Sequence, residues 1–320
     1  MDIISFEEAI LKSKGHNRNL LIGNGFSTRF FNYKDLLEKS GFAVGSPIRM
    51  LFEKLATVDF EFAMRALEGA AVVEEAYGND NHAKELLSHA AELRDGLVRA
   101  INEVHPKYLA SAAFDYKSSI DFLLNFQNIF TLNYDLLLYW VGVQAGNIKD
   151  GFGLGADLGG FQGPFKEEAH CNTYNLHGGL QLFENKDGEI IKAKNTGEGV
   201  IAQISNTISG RKKLPIYVAE GTSLAKMKKI NSIDYLRHCF KQLASATGVT
   251  FIYGHSADDN DAHIYYALFS SGIEHIYFGV YQPTEEKIAK FDSQLAKFSR
   301  LMKSKVSYSF FDAESAKVWG

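Results

Sequence analysis

Cysteine is almost missing from this sequence: Cys171 and Cys239 are the only two in 320 residues, they lie in different segments, and neither has a C-x-x-C partner. That scarcity excludes a four-cysteine zinc ribbon and a disulfide framework. Long apolar runs are missing as well. The opening MDIISFEEAILKSKGHNRN lacks a basic start followed by a long apolar stretch, and no segment approaches a membrane span, so a soluble, cytoplasmic protein with no membrane partner is expected. There is no surplus of positive charge. Lys and Arg number 34 against 38 Asp and Glu, a formal charge of -4, so no whole-chain basic field favours nucleic acid, although a local patch around Arg211, Lys212 and Lys213 stays open. Internal repeats, low-complexity tracts and clear linkers are also lacking.

What is present has ordinary globular texture, 46% hydrophobic and 22% charged, enough for a sizeable core in one large domain or two smaller ones. The pattern predicts strands at Leu20 to Ile22, Ile129 to Leu132, Thr173 to Leu176, Pro215 to Val218, Val249 to Tyr253, His275 to Tyr281 and Val306 to Phe311. Helical spacing fits Asp135 to Val143, Ile233 to Ala246, Ala262 to Ser270 and Glu285 to Lys303. In AKELLSHAAELRDGLVRAINEVHP the apolar residues recur at helical spacing until Pro106 stops them. Strands separated by helices favour a doubly wound, mostly parallel α/β sheet. A mostly helical insertion at about 35–126 follows the first βα unit, and the whole of 1–320 is expected to form one domain. The glycine-rich DGFGLGADLGGFQGPF at 150–165 is irregular, LQLFENKDGEIIKAK reads as a hairpin turning at Lys186, Asp187 and Gly188, and NTGEGVIAQISNTISGRKK is expected to be a mobile loop.

Four constellations stand at predicted strand ends. In LLIGNGFS, Gly23, Asn24, Gly25, Phe26 and Ser27 follow the first strand, and the two glycines would let backbone amides approach a pyrophosphate. A tight turn with Ser27 as a cap explains the same residues. In FTLNYDLLLYW, Asn133 leaves the second strand where a doubly wound fold binds ligands. Asn133 would equally suit a helix cap, as would Asp135. In TYNLHGGLQLF, His177 precedes Gly178 and Gly179, and is either a structural histidine or a general base. In FIYGHSADDNDAHIYYAL, Gly254, His255 and Ser256 follow another strand, with Asp258, Asp259 and Asn260 where a helix start wants acceptors. His255, Asp259 and His263 are an alternative metal-ligand set, although no metal is expected. Asp59 and Glu61 in TVDFEFAMRAL are a carboxylate pair, either for acid–base work or on a solvated helix face.

In order, G-N-G-F-S, T-L-N-Y-D, N-L-H-G and G-H-S resemble the sirtuin family's G-A-G-x-S, T-Q-N-x-D, L-H-G and G-T-S. LIGNGFS, DFE, LNYDLLLYW, DGFG, LHGGLQLF and GHSADDND together look like a bacterial family of uncharacterised sirtuin-like proteins, which is similar at greater distance to sirtuin-like effectors of anti-phage defence. The resemblance implies a Rossmann-like domain with NAD+ over the strand ends. It would put Gly23, Gly25 and Ser27 at the phosphates, Asn133 and Asp135 by the nicotinamide ribose, His177 in the place of the catalytic histidine, and Gly254 and Ser256 at the adenosine end. Asn24 and Leu132 depart from the sirtuin alanine and glutamine, so their side-chain contacts do not carry over.

Sirtuins proper carry a four-cysteine zinc module that this chain cannot build, so no zinc and no cofactor beyond NAD+ as substrate are expected, and water replaces the peptide acceptor. Breaking the nicotinamide glycosidic bond expels a neutral leaving group and develops positive charge on the ribose, which calls for orientation and charge stabilisation. The expectation is an NAD+ glycohydrolase of a bacterial defence system, held silent as a homo-oligomer or by a second protein such as a nucleotide-processing enzyme or an ATPase. A non-catalytic module binding NAD+ or ADP-ribose is the alternative, followed by an ADP-ribosyl transferase or deacylase.

Overall fold

The computed structural model describes residues 3–30, 35–105, 116–146, 149–152, 173–193, 199–211, 213–218 and 222–320. They gather into two compact units. One comprises Met1–Arg29, Ala110–Gly179 and Thr222–Gly320, the other Phe30–Leu109 and Leu180–Gly221.

The first unit is built on a sheet of six parallel strands. In chain order the strands are β1 (Arg18–Ile22), β2 (Asn128–Thr131), β3 (Thr173–Asn175), then β4 (Leu182–Glu184) and β5 (Ile190–Lys192), which belong to the other unit, and finally β6 (Thr247–Tyr253), β7 (Gly272–Val280) and β8 (Ser307–Asp312). The sheet runs β3-β2-β1-β6-β7-β8 with every neighbouring pair parallel. Strand order therefore reverses between β1 and β6. With right-handed crossovers the two halves wind onto opposite faces, giving the doubly wound, Rossmann-like α/β fold expected from the strand and helix pattern.

Burial on both faces explains the composition of these strands. Leu20, Leu21, Ile22, Phe251, Ile252, Ile276 and Phe278 are all fully buried, so the central strands read as continuous apolar runs rather than alternating ones. Polar Asn19 is tolerated inside because its amide donates to the Thr247 and Val249 carbonyls at 2.9 and 3.2 Å, while its Oδ1 accepts from Asn128 Nδ2 at 2.9 Å. It thus ties β1 to both neighbours. On one side of the sheet Phe6 lies 5.2 to 6.3 Å, ring centre to ring centre, from Phe122, Phe126, Phe251 and Phe311, anchoring the helices Phe6–Lys12 and Tyr116–Leu123.

At the reversal point two loops touch backbone to backbone. Gly25 N–H donates to the Gly254 carbonyl at 2.8 Å and Gly23 N–H to the Tyr253 carbonyl at 2.9 Å. A Cβ on Gly25 would stand 2.5 Å from Gly254 Cα, and one on Gly254, whose φ is +70°, would stand 2.7 Å from Gly25 Cα. Both positions need glycine for close approach, and Gly254 needs it for its dihedral as well.

Helices fill the described residues between β1 and β2: Asp35–Glu38, Pro47–Lys54, Phe60–Ala76, Asp80–Val104 and Tyr116–Leu123. The last of these clusters with the sheet unit and the others with the second unit. Asp59 caps Phe60–Ala76, accepting from the N–H groups of Glu61 and Phe62, and Glu61 pairs with Arg65 at 2.6 Å. The carboxylate pair is thus occupied with helix structure. The helix Asp80–Val104 buries Leu93, Leu97, Ala100 and Ile101 and ends just before His105, while Pro106 lies outside the described residues. Strands β4 and β5 form the expected antiparallel hairpin, its turn held by Asn185 Oδ1 accepting from the N–H groups of Asp187 and Glu189.

Two sequence expectations need correction. The stretch read as a mobile loop contains the helix Val200–Arg211, whose Val200, Ile204 and Ile208 recur at four-residue spacing and are buried. Pro215 to Val218 is extended but does not join the main sheet: Ile216 N–H donates to the Leu182 carbonyl of the hairpin. The sequence pattern also missed the helices Phe6–Lys12 and Ser223–Ser232. Most of the 150–165 loop, Cys171 and Lys212 lie outside the described residues, and Lys213 Nζ donates to the carbonyls of Glu184 and Asn185. Among the described residues no helix is long and apolar enough to cross a membrane.

Gly254→Ala should destabilise the protein by roughly 2 to 4 kcal/mol in urea unfolding, through overpacking plus a left-handed backbone. Gly45→Ala, where φ is +79° but the space is open, should cost only about 1 kcal/mol.

Candidate active site

The sheet register lines up the four constellations. Asn175 pairs with Thr131, Thr131 with Ile22 and Ile22 with Tyr253. Two residues beyond each of these stand His177, Asn133, Asn24 and His255. One row along the carboxyl edge of β3, β2, β1 and β6 therefore carries a residue from every motif, at the place where parallel α/β sheets open a crevice.

After β1 the chain makes a short 3-10 turn over Asn24–Phe26. Most of its amides are already engaged: Gly25 N–H with Gly254, Phe26 N–H with the Gly23 carbonyl, Ser27 N–H with the Asn24 carbonyl. Asn24, which is exposed, has a backbone N–H without a partner among the described residues, so it is the donor this turn offers outward. Phe26 is buried, its ring 5.0 Å from that of Trp319, and its carbonyl accepts from Trp319 Nε1 at 2.6 Å. Its ring therefore supports the turn from beneath. Ser27 is fully buried and faces Asn133: Asn133 Nδ2 donates to Ser27 Oγ at 2.9 Å.

Asn133 is not a helix cap. Asp135 lies just ahead of the helix Leu137–Ala145, whose N-cap is Leu136, and its Oδ1 accepts from Leu137 N–H at 2.8 Å. Asn133 N–H donates to Thr131 Oγ1 at 3.0 Å and its Nδ2 is held by Ser27, yet the buried Oδ1 has no hydrogen-bond partner among the described residues. A buried amide oxygen left unpaired costs about 1 to 3 kcal/mol. The fold carries that cost at the edge where ligands bind.

His177, 4% exposed, sits in a polar cluster. Its Nε2 is 3.3 Å from His263 Nε2 and 3.8 Å from Asp261 Oδ1. Lys226 Nζ donates to Asp261 Oδ1 at 2.7 Å, and His255 Nε2 meets Oδ2 at 3.3 Å. His255 Nδ1 accepts from Ala257 N–H at 2.9 Å, so Tyr265, whose hydroxyl is 2.8 Å away, donates to the same nitrogen. Behind His263, Ser223 Oγ accepts its backbone N–H at 2.9 Å and meets its Nδ1 at 3.1 Å. Ser256 Oγ donates to Asp258 Oδ2 at 2.6 Å, and Asp259 pairs with Lys297 at the surface.

Burial sets the charges here. It holds His177 well below its usual range and pushes His263 down to about 4, with the charge of Asp261 opposing and that of Lys226 reinforcing in both cases. Burial alone would raise Asp261, but the hydrogen bond from His255 and the neighbouring positive charge outweigh it and keep the carboxyl ionised well below the usual range. Burial raises Tyr265 well above its usual range, so it remains a phenol and a donor. Near pH 7 the cluster thus holds one carboxylate, one ammonium and neutral imidazoles at His177 and His263.

His177, Asp261 and His263 bring three possible metal-ligand atoms within 4.8 Å of one another. The residues fit a divalent cation poorly, because Lys226 already neutralises the single carboxylate and would repel the ion. Sequence reasoning identified His177, Asn133, His255 and His263. It missed Asp261, Lys226, Ser223 and Tyr265, and it favoured Asp259 where the partner within the cluster is Asp261. The signal was present in the period: in DDNDAHIYYAL the acidic residue nearest the apolar helical run is Asp261, and carboxylates further from such a run face solvent.

A parallel α/β protein with a polar row at the carboxyl edge, centred on a buried asparagine and a neutral histidine, is the class that fold and site define. The chain belongs to the family described as Domain of unknown function (DUF4917), which matches residues 20–319. No curated protein matches it. Among solved structures it is similar to a Sir2 mutant with a p53 peptide and NAD, at 13% identity and a TM-score of 0.41, covering 98% of this chain and 96% of that one. It is also similar to a Sir2-homologue mutant in complex with 2'-O-acetyl ADP ribose, at 13% identity and a TM-score of 0.39, covering 95% and 97%.

Two outcomes follow from the buried polar groups. Ser27→Ala should lower stability by about 1 to 3 kcal/mol in urea unfolding, because Asn133 Nδ2 loses its acceptor. A histidine whose folded pKa lies below its unfolded value takes up its proton more readily when unfolded. The stability contribution of His263 is therefore complete above pH 6.5 and is lost as pH falls toward 4, by about 3 kcal/mol at pH 4. Urea midpoints at pH 7, 5.5 and 4.5 should fall in that order, and less steeply in His263→Gln.

Proposed function

We propose that this protein is an NAD+ glycohydrolase, cleaving NAD+ with water to nicotinamide and ADP-ribose. The observation that carries the reading is the buried Oδ1 of Asn133, unpaired among the described residues, at the carboxyl edge, one strand from a neutral His177. The ordered likeness of G-N-G-F-S, T-L-N-Y-D, N-L-H-G and G-H-S to the sirtuin motifs supports the choice of dinucleotide.

Each residue has a task in the reaction. The Asn24 amide and the turn at Gly23, Gly25 and Ser27 receive the phosphates, and Gly254, His255 and Ser256 lie toward the adenosine end. Asn133 Oδ1 accepts from a ribose hydroxyl or from the attacking water, the hydrogen bond it lacks among the described residues. Asp135 stands beside it and fixes the start of the following helix. When the bond from ribose C1' to the nicotinamide nitrogen breaks, its electron pair leaves with neutral nicotinamide and positive charge develops on the sugar. A water oxygen then bonds to C1' and its proton passes to His177. No zinc and no further cofactor enter this scheme, and the missing four-cysteine module removes the sirtuin type of acyl-lysine acceptor.

An enzyme that empties the cell of NAD+ must be restrained. We accordingly assign it to a bacterial anti-phage defence system in the cytoplasm, as an effector held silent as a homo-oligomer or by a second protein, such as a nucleotide-processing enzyme or an ATPase, that senses infection.

Purified protein incubated with NAD+, alone and with the product of a neighbouring gene, should release nicotinamide and ADP-ribose in equal amounts by chromatography and mass spectrometry. Asn133→Ala and His177→Ala should each lower turnover by about 100-fold or more while NAD+ still binds. Binding without turnover in every combination would replace the hydrolase by a regulatory module that binds NAD+ or ADP-ribose.

A further inference from the structure

A base needs an orienting partner, and the buried cluster behind His177 contains one. Two imidazole nitrogens 3.3 Å apart, His177 Nε2 and His263 Nε2, attract only if one proton lies between them. The carboxylate of Asp261, 3.8 Å from His177 Nε2, decides which ring carries it. A proton on His177 Nε2 is drawn toward that charge, whereas a lone pair there would face it. His263 Nε2 is then the acceptor, and His263 Nδ1–H donates to Ser223 Oγ, which also accepts the backbone N–H of the same residue. Ser223 opens the helix Ser223–Ser232, whose Lys226 holds Asp261, and His255 holds the other carboxylate oxygen. Both atoms that bear on His177 Nε2 are thus fixed from elsewhere. His177 Nδ1 makes no hydrogen bond among the described residues.

We propose that His263 is a positioning residue: held by Ser223 and set beside Asp261, it receives the His177 Nε2–H and so keeps the Nδ1 lone pair of His177 available as the base. This rests on the hydrolase reading and specifies which atom acts. The water oxygen bonds to C1', nicotinamide leaves with the electron pair of the broken bond, and the water proton moves to His177 Nδ1. The resulting imidazolium keeps its Nε2–H directed at His263, with its charge met by Asp261. The proton then leaves Nδ1 for solvent, restoring the neutral ring.

The test combines a tautomer measurement with kinetics on the full chain. Nitrogen–proton correlation spectra of the histidine rings, with His177→Gln identifying the resonance, should show His177 in the Nε2–H form in the wild type and as a mixture of both forms in His263→Ala. His263→Ala should lower kcat for NAD+ by about 10-fold or more with KM within about 2-fold, and His263→Gln, whose amide oxygen can accept the same proton, should recover most of that loss. If His263→Ala does not fold, Ser223→Ala, which removes one hydroxyl, should shift the tautomer in the same direction. A wild-type His177 in the Nδ1–H form, an unchanged kcat in His263→Ala, or equal losses in the Ala and Gln variants together with a raised KM would each overturn the assignment. Absence of turnover in the wild type would remove the hydrolase reading, while the tautomer measurement would still decide the orientation of His177.

Discussion

Everything at the carboxyl edge depends on how closely two backbones approach where strand order reverses. Gly25 and Gly254 meet without a side chain between them, and the hydrogen bond from one to the other locks the turn after β1 against the turn after β6. Sterics leave no alternative residue at either place. Once those turns are fixed, Ser27 is buried beneath the first of them and holds Asn133, while His255 follows directly from the second and holds Asp261. A local exclusion of two Cβ atoms is thereby translated into the placement of side chains that follow three separate strands.

The second constraint is electrostatic. Asp261 is the carboxylate around which Lys226, His255 and His177 are arranged, and its charge is stabilised by the first two strongly enough to survive burial. Burying an ion pair is costly unless its hydrogen bonds are made. Here both oxygens are occupied, so the cluster can persist inside the fold, where burial keeps His177 and His263 uncharged against the pull of the Asp261 charge. Charge balance and ring orientation come from the same few contacts.

Much of the fold was legible in the sequence because parallel strands buried on both faces leave apolar runs, and the turns between them leave glycine and asparagine. The strands after Asn17, Gln127 and Gly248, and the helix Ala262–Ser270, could be read in this way. The helix Val200–Arg211 could not, because its apolar residues are diluted by Gln203, Asn206 and Gly210 and followed glycines that read as loop. Nor could Pro215 to Val218 be assigned: an apolar run with β-branched residues looks the same whether it pairs in the main sheet or lies against a hairpin.

The sequence by itself determined the kinds of residue that end each strand: Gly23 and Gly25, Asn133, His177, and Gly254 with His255. Local steric and hydrogen-bonding rules act between near neighbours, so such motifs carry their own meaning. Only the tertiary structure decided that Asn133 leaves its Oδ1 unpaired among the described residues, that Asp135 rather than Asn133 bonds to the start of the following helix, and that Asp261 rather than Asp259 is the carboxylate beside His177. Those outcomes depend on which atoms are brought together over separations of up to 106 residues, as between Ser27 and Asn133. Burial and pairing at that range are properties of the packed chain.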